Sequence, residues 1–292
     1  MIQLDHSASQ AGRRQVRPAT FSDQQKIADL IFFESHVHRH LDWRTPLDWL
    51  GSSPYWVIEE GHQISAALAC PSDPDSIAWI RLFAFASHLS RHSAWPPLWS
   101  AARGQLAEQG GGVVAAIATQ RWFDQVLIDG HFNLAGHIVL LEWFEGRLEQ
   151  SQPPADVHLR DMTARDLPRV AEVDSAAFEP LWRNSLAALN KAYEQASYAS
   201  VAEDGPRLIG YQLSTGGSFG AHLARLAVLP EDQGRGVGTA LVADLMLHMQ
   251  RTGGSKVTVN TQANNLASLA LYGRLGFRRT GEKYPVYTLQ VT

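Results

Sequence analysis

The 292-residue sequence contains little cysteine and no long apolar run, and each absence excludes a class of protein. Its single cysteine, Cys70, excludes an intrachain disulfide and a cysteine-based metal cluster, and we expect this thiol to be buried. No window holds the ~18 apolar residues that a membrane-spanning helix requires, and the amino terminus has no secretion-signal pattern. We therefore expect a cytoplasmic protein with no membrane partner.

Positive charge is also scarce. The 25 Lys and Arg residues are outnumbered by 29 Asp and Glu, which gives a formal net charge of -4, and no basic run is present. This balance argues against a nucleic-acid partner. Hydrophobic residues make up 45% of the chain, which is long enough for two ordinary folded domains. The oligomeric state is left open.

Glycine is concentrated in the most informative segment, which runs from Val228 to Gly238. An apolar strand leads into a loop with glycines at 234, 236 and 238, and a helix is expected to begin near Thr239. Glycine allows close approach of a ligand to the backbone, and the free amides of a first helical turn bind phosphate. The loop lacks the lysine of a P-loop and the third glycine of a dinucleotide fingerprint. An ordinary glycine turn remains an alternative.

A second motif lies downstream. Asn265, Ser268 and Tyr272 are spaced by three and then four residues, so on a helix they share one face, which we expect to meet a ligand. Leu271 and Leu275 lie on a flank that is expected to pack inward. A helix with scattered polar residues is the alternative interpretation.

Together the two motifs resemble, in order and spacing, those of the GCN5-related N-acetyltransferases (GNAT). The resemblance implies acetyl-coenzyme A as cosubstrate, with strand backbone along the pantetheine arm and the glycine loop around the pyrophosphate. The residues that it assigns to this cosubstrate are Leu226, Ala227, Val228, Gln233, Gly234, Arg235, Gly236, Val237, Gly238, Thr239, Asn260, Asn265 and Ser268.

The resemblance also implies direct attack of a primary amine on the thioester, with Tyr272 as the general acid. An ordinary phenol pKa of about 10 keeps this group protonated at pH 7. For the general base, His222 is the suitable group on the strand before the loop. Strand alternation predicts that His222 shares a face with Ala224, Leu226 and Val228. A packed tyrosine and a histidine at an exposed strand end are the alternatives.

Acidic residues Glu172, Asp174 and Glu179 lie where the resemblance implies an acceptor pocket. They are candidates for recognising a cationic amine, or they form a solvated helix face. The acceptor is expected to be a small-molecule or peptide amine. A non-catalytic acyl-coenzyme A binding or sensor protein is the alternative function, and a nucleotide-phosphate binder is a third.

Histidines His36, His38 and His40 have alternating spacing but lack carboxylate or cysteine partners at convincing positions. We therefore expect a surface or interdomain cluster and no metal site.

The chain also resembles itself at offsets of 143 to 145 residues, which indicates two copies of one fold. The matching pairs are Arg17–Asp23 with Arg160–Asp166, Val57–Gly61 with Val201–Gly205, Arg81–Leu82 with Arg225–Leu226, and Phe132 and Gly136 with Phe277 and Gly281. At an offset of 144, the first copy has leucine, histidine and alanine where the second has Gln233, Gly236 and Gly238. The first copy is therefore not expected to bind the cosubstrate in the same way.

A polar, proline-rich stretch at 149–156 predicts the boundary near residue 152, with a degenerate domain at 1–152 and a cosubstrate-binding domain at 153–292. The predicted fold class is α/β (α+β in some schemes), with two tandem GNAT-like domains. Each is expected to be a mixed, mostly antiparallel twisted sheet flanked by helices. In the second copy Gly276 is predicted to end the Tyr272 helix, and residues 286–291 to close the sheet.

Overall fold

The computed structural model describes residues 14–74, 76–144, 153–217 and 220–292. The chain divides into two compact units, one of Met1–Asn133 with Thr288–Thr292 and one of Leu134–Tyr287. The predicted boundary near residue 152 lies outside the described residues and stays a prediction. Within the described ranges, no helix is both long and apolar enough to cross a membrane.

The first unit consists mainly of a five-stranded antiparallel sheet and three helices. Its elements are β1 (Gln15–Pro18), α1 (Gln24–Phe33), β2 (His36–Arg39), β3 (Tyr55–Glu60), β4 (Gln63–Ala69), β5 (Ile77–Trp79), β6 (Leu82–Phe85), α2 (Arg91–Glu108), β7 (Gly112–Ile117) and α3 (Arg121–Asp129). The sheet order is β1-β3-β4-β6-β2, and β5 pairs in parallel with β7.

The second unit repeats this plan around a larger sheet. Its elements are β8 (Asn133–Phe144), β9 (Val157–Asp161), α4 (Leu167–Ala177), α5 (Leu186–Gln195), β10 (Tyr198–Asp204), β11 (Arg207–Gly217), β12 (Gly220–Val228), α6 (Val237–Arg251), β13 (Lys256–Gln262), α7 (Leu266–Arg274) and β14 (Arg278–Val291). The strand order is β14-β8-β13-β12-β11-β10-β9. From β9 to β8 the pairs are antiparallel, except for parallel β12 and β13. The mixed, mostly antiparallel fold class is confirmed.

The sequence predicts two element boundaries in the second unit, the end of α7 and the start of β14. Gly276 follows α7 with φ of 87°, so the predicted left-handed helix end is confirmed. The last strand begins at Arg278, next to Phe277, where the sequence predicts the last strand region to begin, and residues 286–291 form its end. Its first residues are charged and mostly exposed, and therefore lack the alternating apolar pattern that marks a half-buried strand.

The same ion cluster occurs near the start of both units and gives the repeat a physical basis. Each cluster joins an arginine of β1 or β9, an aspartate that caps the next turn, and a glutamate of a neighbouring strand. The members are Arg17, Asp23 and Glu59 in one unit and Arg160, Asp166 and Glu203 in the other. The N–O distances lie between 2.6 and 2.8 Å. These residues fall within the matched segments of the sequence.

Strand β12 leaves its parallel neighbour after a short contact. It pairs with β13 only at Ala221, His222 and Leu223, although both strands continue for several residues. On its other edge the register with β11 skips Ala224, which is therefore an extra residue, a β-bulge. A bulge bends and twists its strand. The ends of β12 and β13 consequently diverge and leave an opening in the sheet.

Among the described residues of the first unit, no such opening lies beside the equivalent strand. There β6 is paired with β4 on one edge and with β2 on the other. Strand β2 covers Leu82, Phe83 and Ala84, the positions that correspond at an offset of 144 to residues 226–228. The backbone edge that is open in the second unit is occupied by a strand in the first.

Candidate functional site

The open edge of β12 offers backbone groups to a ligand. The Leu229 amide donates to the Ile209 carbonyl at 2.9 Å, so this pair is hydrogen-bonded across the antiparallel ladder. Hydrogen-bonded pairs alternate along such a ladder, which directs the backbone groups of Leu226 and Val228 away from β11 and into the opening. The Gln233 side-chain amide donates to the Val228 carbonyl at 3.1 Å and so ties the loop to this edge.

The glycine loop has left-handed backbone where the sequence provides glycine. Gly234 and Gly236 have φ of 78° and 93°, and Gly236 is the N-cap of α6. A Cβ atom at either position would meet no atom within 4 Å, so the space beside the backbone is open. The first intrahelical bond runs from the Ala240 amide to the Gly236 carbonyl. The amides of residues 237–239 therefore have no helical partner and face an open cradle.

The electrostatics of this cradle favour an anion. Helix α6 has fifteen residues, and its first turn contains no acidic side chain that would oppose the positive end of the helix dipole. Glycine 238 has a different role from its neighbours, because a Cβ there would lie 3.0 Å from Leu271 Cδ1. Gly238 thus lets α6 pack closely against α7. The side chain of Val237 is buried in the core, so only its amide is available.

Arg235 is turned toward carboxylates of the protein. Its guanidinium lies 3.0 Å from Asp204 and also pairs with Asp156 and Asp232. The loop therefore presents the Arg235 backbone, and the side chain braces the loop against the preceding strands. Thr239 is half-buried in the first turn of α6.

The three residues of the predicted polar face on α7 have different surroundings. Asn265 is the N-cap, and its Oδ1 accepts a hydrogen bond from the Ser268 amide at 3.1 Å. Tyr272 is only 4% exposed and packs in the core of the second unit, with its ring centroid 5.5 Å from that of Phe277. Burial raises the pKa of the Tyr272 phenol. Asn260 is exposed on β13.

His222 does not lie on the predicted face. Simple alternation placed it with Leu226 and Val228, but the bulge at Ala224 inserts a residue between them and reverses the alternation. His222 therefore shares a face with Arg225, on the side of the sheet where α4 packs. The sequence has no signal for this bulge, because an alanine in a strand carries no register information.

The surroundings of His222 favour a neutral imidazole. Its Nδ1 lies 2.9 Å from Thr258 Oγ1, which also lies 3.4 Å from the Ala221 carbonyl. If the threonine hydroxyl donates to that carbonyl, it accepts from Nδ1–H and leaves Nε2 as the free base. Partial burial lowers the pKa of His222.

A buried polar network lies on the same side of the sheet as His222. Asp174 of α4 is fully buried and accepts hydrogen bonds from the Tyr211 hydroxyl at 2.5 Å and Arg225 Nε at 2.7 Å. Arg225 also donates to the Trp182 carbonyl at 2.6 Å, and its guanidinium lies 3.5 Å from the centroid of the Phe178 ring. This network joins the sheet to the segment between α4 and α5.

That segment forms one wall of a cavity of 490 Å³ within the second unit. The described lining residues are Ala135, Gly136, His137, Ala177, Phe178, Glu179, Leu181, Trp182, Gln262, Asn264, Asn265 and Val286. Among them, Glu179 is the acidic residue, and burial together with Lys283 lowers the pKa of His137. At neutral pH the described lining thus carries one negative charge beside three side-chain amides and an apolar wall.

The three predicted acidic residues separate in the structure. Glu172 is exposed on α4 away from the cavity lining, Asp174 is buried in the network, and Glu179 lines the cavity. Neither Tyr272 nor His222 is among the described lining residues. Sequence reasoning missed the cavity role of His137, which belongs to no motif, and that of Trp182, for which the short match at 178–182 is too weak to assign a role. It also missed Tyr211, which reads as an ordinary strand residue.

Of the three alternating histidines, His38 is buried and therefore departs from the expected surface or interdomain cluster. His38 is 1% exposed, and its ring stacks on Phe123 with centroids 3.7 Å apart. Burial lowers the pKa of His38 to about 3. The His36 ring stacks on Phe85, and the His40 ring stacks on Trp79. Aromatic packing places His38 in the first unit's core, whereas His36 and His40 are only partly buried.

The chain is similar to known proteins in part of its sequence and in its fold. Residues 163–277 match the model of the acetyltransferase (GNAT) family. It is similar to N-alpha-acetyltransferase MAK3 of Arabidopsis thaliana, with 37% identity over 70 residues, 24% of this chain and 37% of the relative. Mycothiol acetyltransferase of Pseudarthrobacter chlorophenolicus is 31% identical over 150 residues, 46% of each chain. The chain thus spans less than half the length of these two relatives.

The tandem arrangement has a counterpart among solved structures. A tandem GNAT protein from the clavulanic acid biosynthesis pathway superposes with a TM-score of 0.65 over 96% of this chain and 99% of its own. Its identity is 16%, so the likeness concerns the fold. A GCN5-related N-acetyltransferase from Sphaerobacter thermophilus gives 0.63 over 95% and 96%, at 13% identity.

Proposed function

We propose that this protein is an acetyl-coenzyme A-dependent N-acetyltransferase whose site lies in the second unit and whose acceptor is a primary amine. One observation carries the proposal: an open strand edge at Leu226 and Val228 leads into a helix that begins with left-handed Gly236. The described residues of the first unit, 14–74 and 76–133, lack both features. A cytoplasmic location is part of the proposal.

The residues present fit the cosubstrate. The open space beside Gly234 and Gly236 is a cradle that a Cβ would fill, and the amides of residues 237–239 suit a pyrophosphate. Leu226 and Val228 would hydrogen-bond to the pantetheine arm. When bound, acetyl-coenzyme A supplies an activated acetyl thioester. Asn265 is the N-cap of α7 and stabilises the start of that helix.

The acceptor is proposed to enter the cavity beside Glu179. His222 would accept a proton from the amine at Nε2, and Tyr272 would hold a proton at its phenol oxygen for the departing sulfur. Burial of Tyr272 keeps that proton in place at neutral pH. The acceptor is a small molecule or a short peptide end, because the cavity measures 490 Å³.

A non-catalytic acyl-coenzyme A sensor is the second candidate, favoured by the deep burial of Tyr272. Free thiol release from acetyl-coenzyme A separates the two functions when it is measured with phenethylamine, spermidine, glucosamine and alanyl-phenylalanine amide. The enzyme releases thiol in step with an acetylated amine that mass spectrometry detects. The sensor gains thermal stability from acetyl-coenzyme A but releases no amine-dependent thiol. Stabilisation by ATP and not by coenzyme A contradicts both.

A further inference from the structure

We infer that Arg225 is a positioning residue for the acceptor, a role that rests on the proposed function. Arg225 holds the cavity wall formed by residues 178–182, which we call the acceptor wall. Nothing in the motif pattern assigns a role to this side chain. Its contacts place it behind the wall and not in the cavity, since it is not among the described lining residues.

Two contacts fix the acceptor wall to Arg225. The guanidinium donates to the Trp182 carbonyl at 2.6 Å, which anchors the end of the wall. It also lies over the Phe178 ring at 3.5 Å, which anchors the start. A planar guanidinium makes both contacts at once, whereas a lysine ammonium cannot combine a directed fork with stacking. The anchors flank Glu179 and thereby set where its carboxylate lies.

The anchor is itself rigid. Arg225 Nε and the Tyr211 hydroxyl both donate to Oδ2 of the fully buried Asp174. The other oxygen, Oδ1, accepts the Asn184 amide at 2.8 Å, just beyond the wall. A buried polar group that loses its hydrogen-bond partner raises the free energy of the folded state, so this network has one favoured geometry. The wall is therefore held at both ends.

The position of Arg225 separates its effect from cosubstrate binding. Because of the bulge, Arg225 faces α4, while Leu223 and Leu226 pack in the core cluster that contains residues of α6. Loosening Arg225 should thus disturb the acceptor side and spare the edge and glycine loop. Substitution of Arg225 should therefore change the KM for the amine and leave the Kd for coenzyme A nearly unchanged.

The first unit supplies a matched control. Arg81 corresponds to Arg225 at an offset of 144, and it too is buried, paired with Asp42 at 2.9 Å and placed over the Trp49 ring at 4.6 Å. Arg81→Lys disturbs a comparable network in a unit without the open edge. It should leave acceptor kinetics unchanged.

The first measurement is kinetic and uses the panel amine with the highest kcat/KM. Arg225→Lys is expected to raise the KM for that amine about tenfold, with kcat and the coenzyme A Kd changed by less than about twofold, the pattern of lost acceptor binding. Tyr211→Phe, which removes one hydroxyl, should shift KM in the same direction by a smaller factor if Arg225→Lys fails to fold. An unchanged KM, or an equal loss of coenzyme A affinity, overturns the inference.

The second measurement does not depend on activity. Trypsin cleavage at the Arg183–Asn184 bond, followed by mass spectrometry, reports on the acceptor wall because the Asn184 amide is bound to Asp174. Cleavage there should accelerate at least about tenfold in Arg225→Lys but not in Arg81→Lys, with the exposed Arg251 site as internal reference. If no amine is acetylated but this acceleration appears, the proposed function fails while the anchoring stands. Equal cleavage in both variants refutes the anchoring itself.

Discussion

At the scale of single residues, the Tyr272 hydroxyl tests the proposed proton transfer. Tyr272→Phe keeps the ring that packs in the core and removes only the oxygen, so the fold and the coenzyme A Kd should not change. We expect kcat to fall about 100-fold, within the usual range for a general acid. Steady-state kinetics and calorimetry measure the two effects.

Tyr55→Phe is the matched control for this substitution. Tyr55 is 3% exposed, and its hydroxyl has no hydrogen-bond partner among the described residues. Its removal should leave kcat unchanged. A Tyr272→Phe enzyme as active as the parent would remove Tyr272 from the reaction.

His222 makes a prediction about pH. Burial lowers its pKa, which favours the neutral imidazole, so the base is available at neutral pH and is lost only as the pH falls. At saturating amine, the acid limb of kcat should therefore have its midpoint below the ordinary histidine pKa of about 6.5. His222→Gln should lower kcat and abolish the limb. A limb that survives in His222→Gln belongs to another group.

Glu179 makes a prediction about acceptor charge. It supplies the negative charge among the described cavity lining, so Glu179→Gln should raise the KM for spermidine. The carboxylate is exposed, so the expected change is about two- to fivefold and should shrink at high salt. Glu172→Gln on the exposed side of α4 is the control. Equal effects of both substitutions would mean that only general surface charge matters.

At the scale of elements, a substitution at the start of α6 tests the proposed cosubstrate site. Gly236→Val puts a β-branched side chain on left-handed backbone and fills the open cradle. We expect coenzyme A affinity to fall at least about 100-fold and stability to fall by about 1–2 kcal/mol from the backbone strain. Calorimetric titration and denaturant unfolding measure the two quantities.

Gly205→Val separates strain from ligand contact. Gly205 has φ of 56° and open space around its Cβ position, but it lies in the turn between β10 and β11. This variant should lose comparable stability and keep its coenzyme A affinity. Parallel losses of affinity in both variants would exclude a special role for Gly236.

At the scale of the whole molecule, one coenzyme A should bind per chain. The first unit has β2 along the edge that corresponds to residues 226–228, and its helix α2 has prolines at 96 and 97. Titration calorimetry should give a stoichiometry of one, and hydrogen exchange should show protection at 226–239 and not at 82–95. Two sites, or protection in the first unit, would contradict the assignment.

The sequence predicted features that depend on local geometry. The glycine loop and Gly276 were recognisable because left-handed backbone selects glycine. The repeat was recognisable because both copies contain the residues of the ion cluster, including Arg17 and Arg160. The face of His222 was not predictable, because the Ala224 bulge has no residue signature. The Asp174 network joins positions 51 residues apart along the chain, and no local pattern reports such a contact.

Strand β8 carries a consequence for any attempt to simplify the protein. It follows α3 in the chain, yet it belongs to the second unit and pairs with β13 along Lys256–Gln262. A fragment cut at the predicted boundary, 153–292, would lose this strand and expose the bare flank of β13 to self-association. Deleting the predicted first domain, 1–152, would therefore also remove β8, the strand that covers one edge of β13.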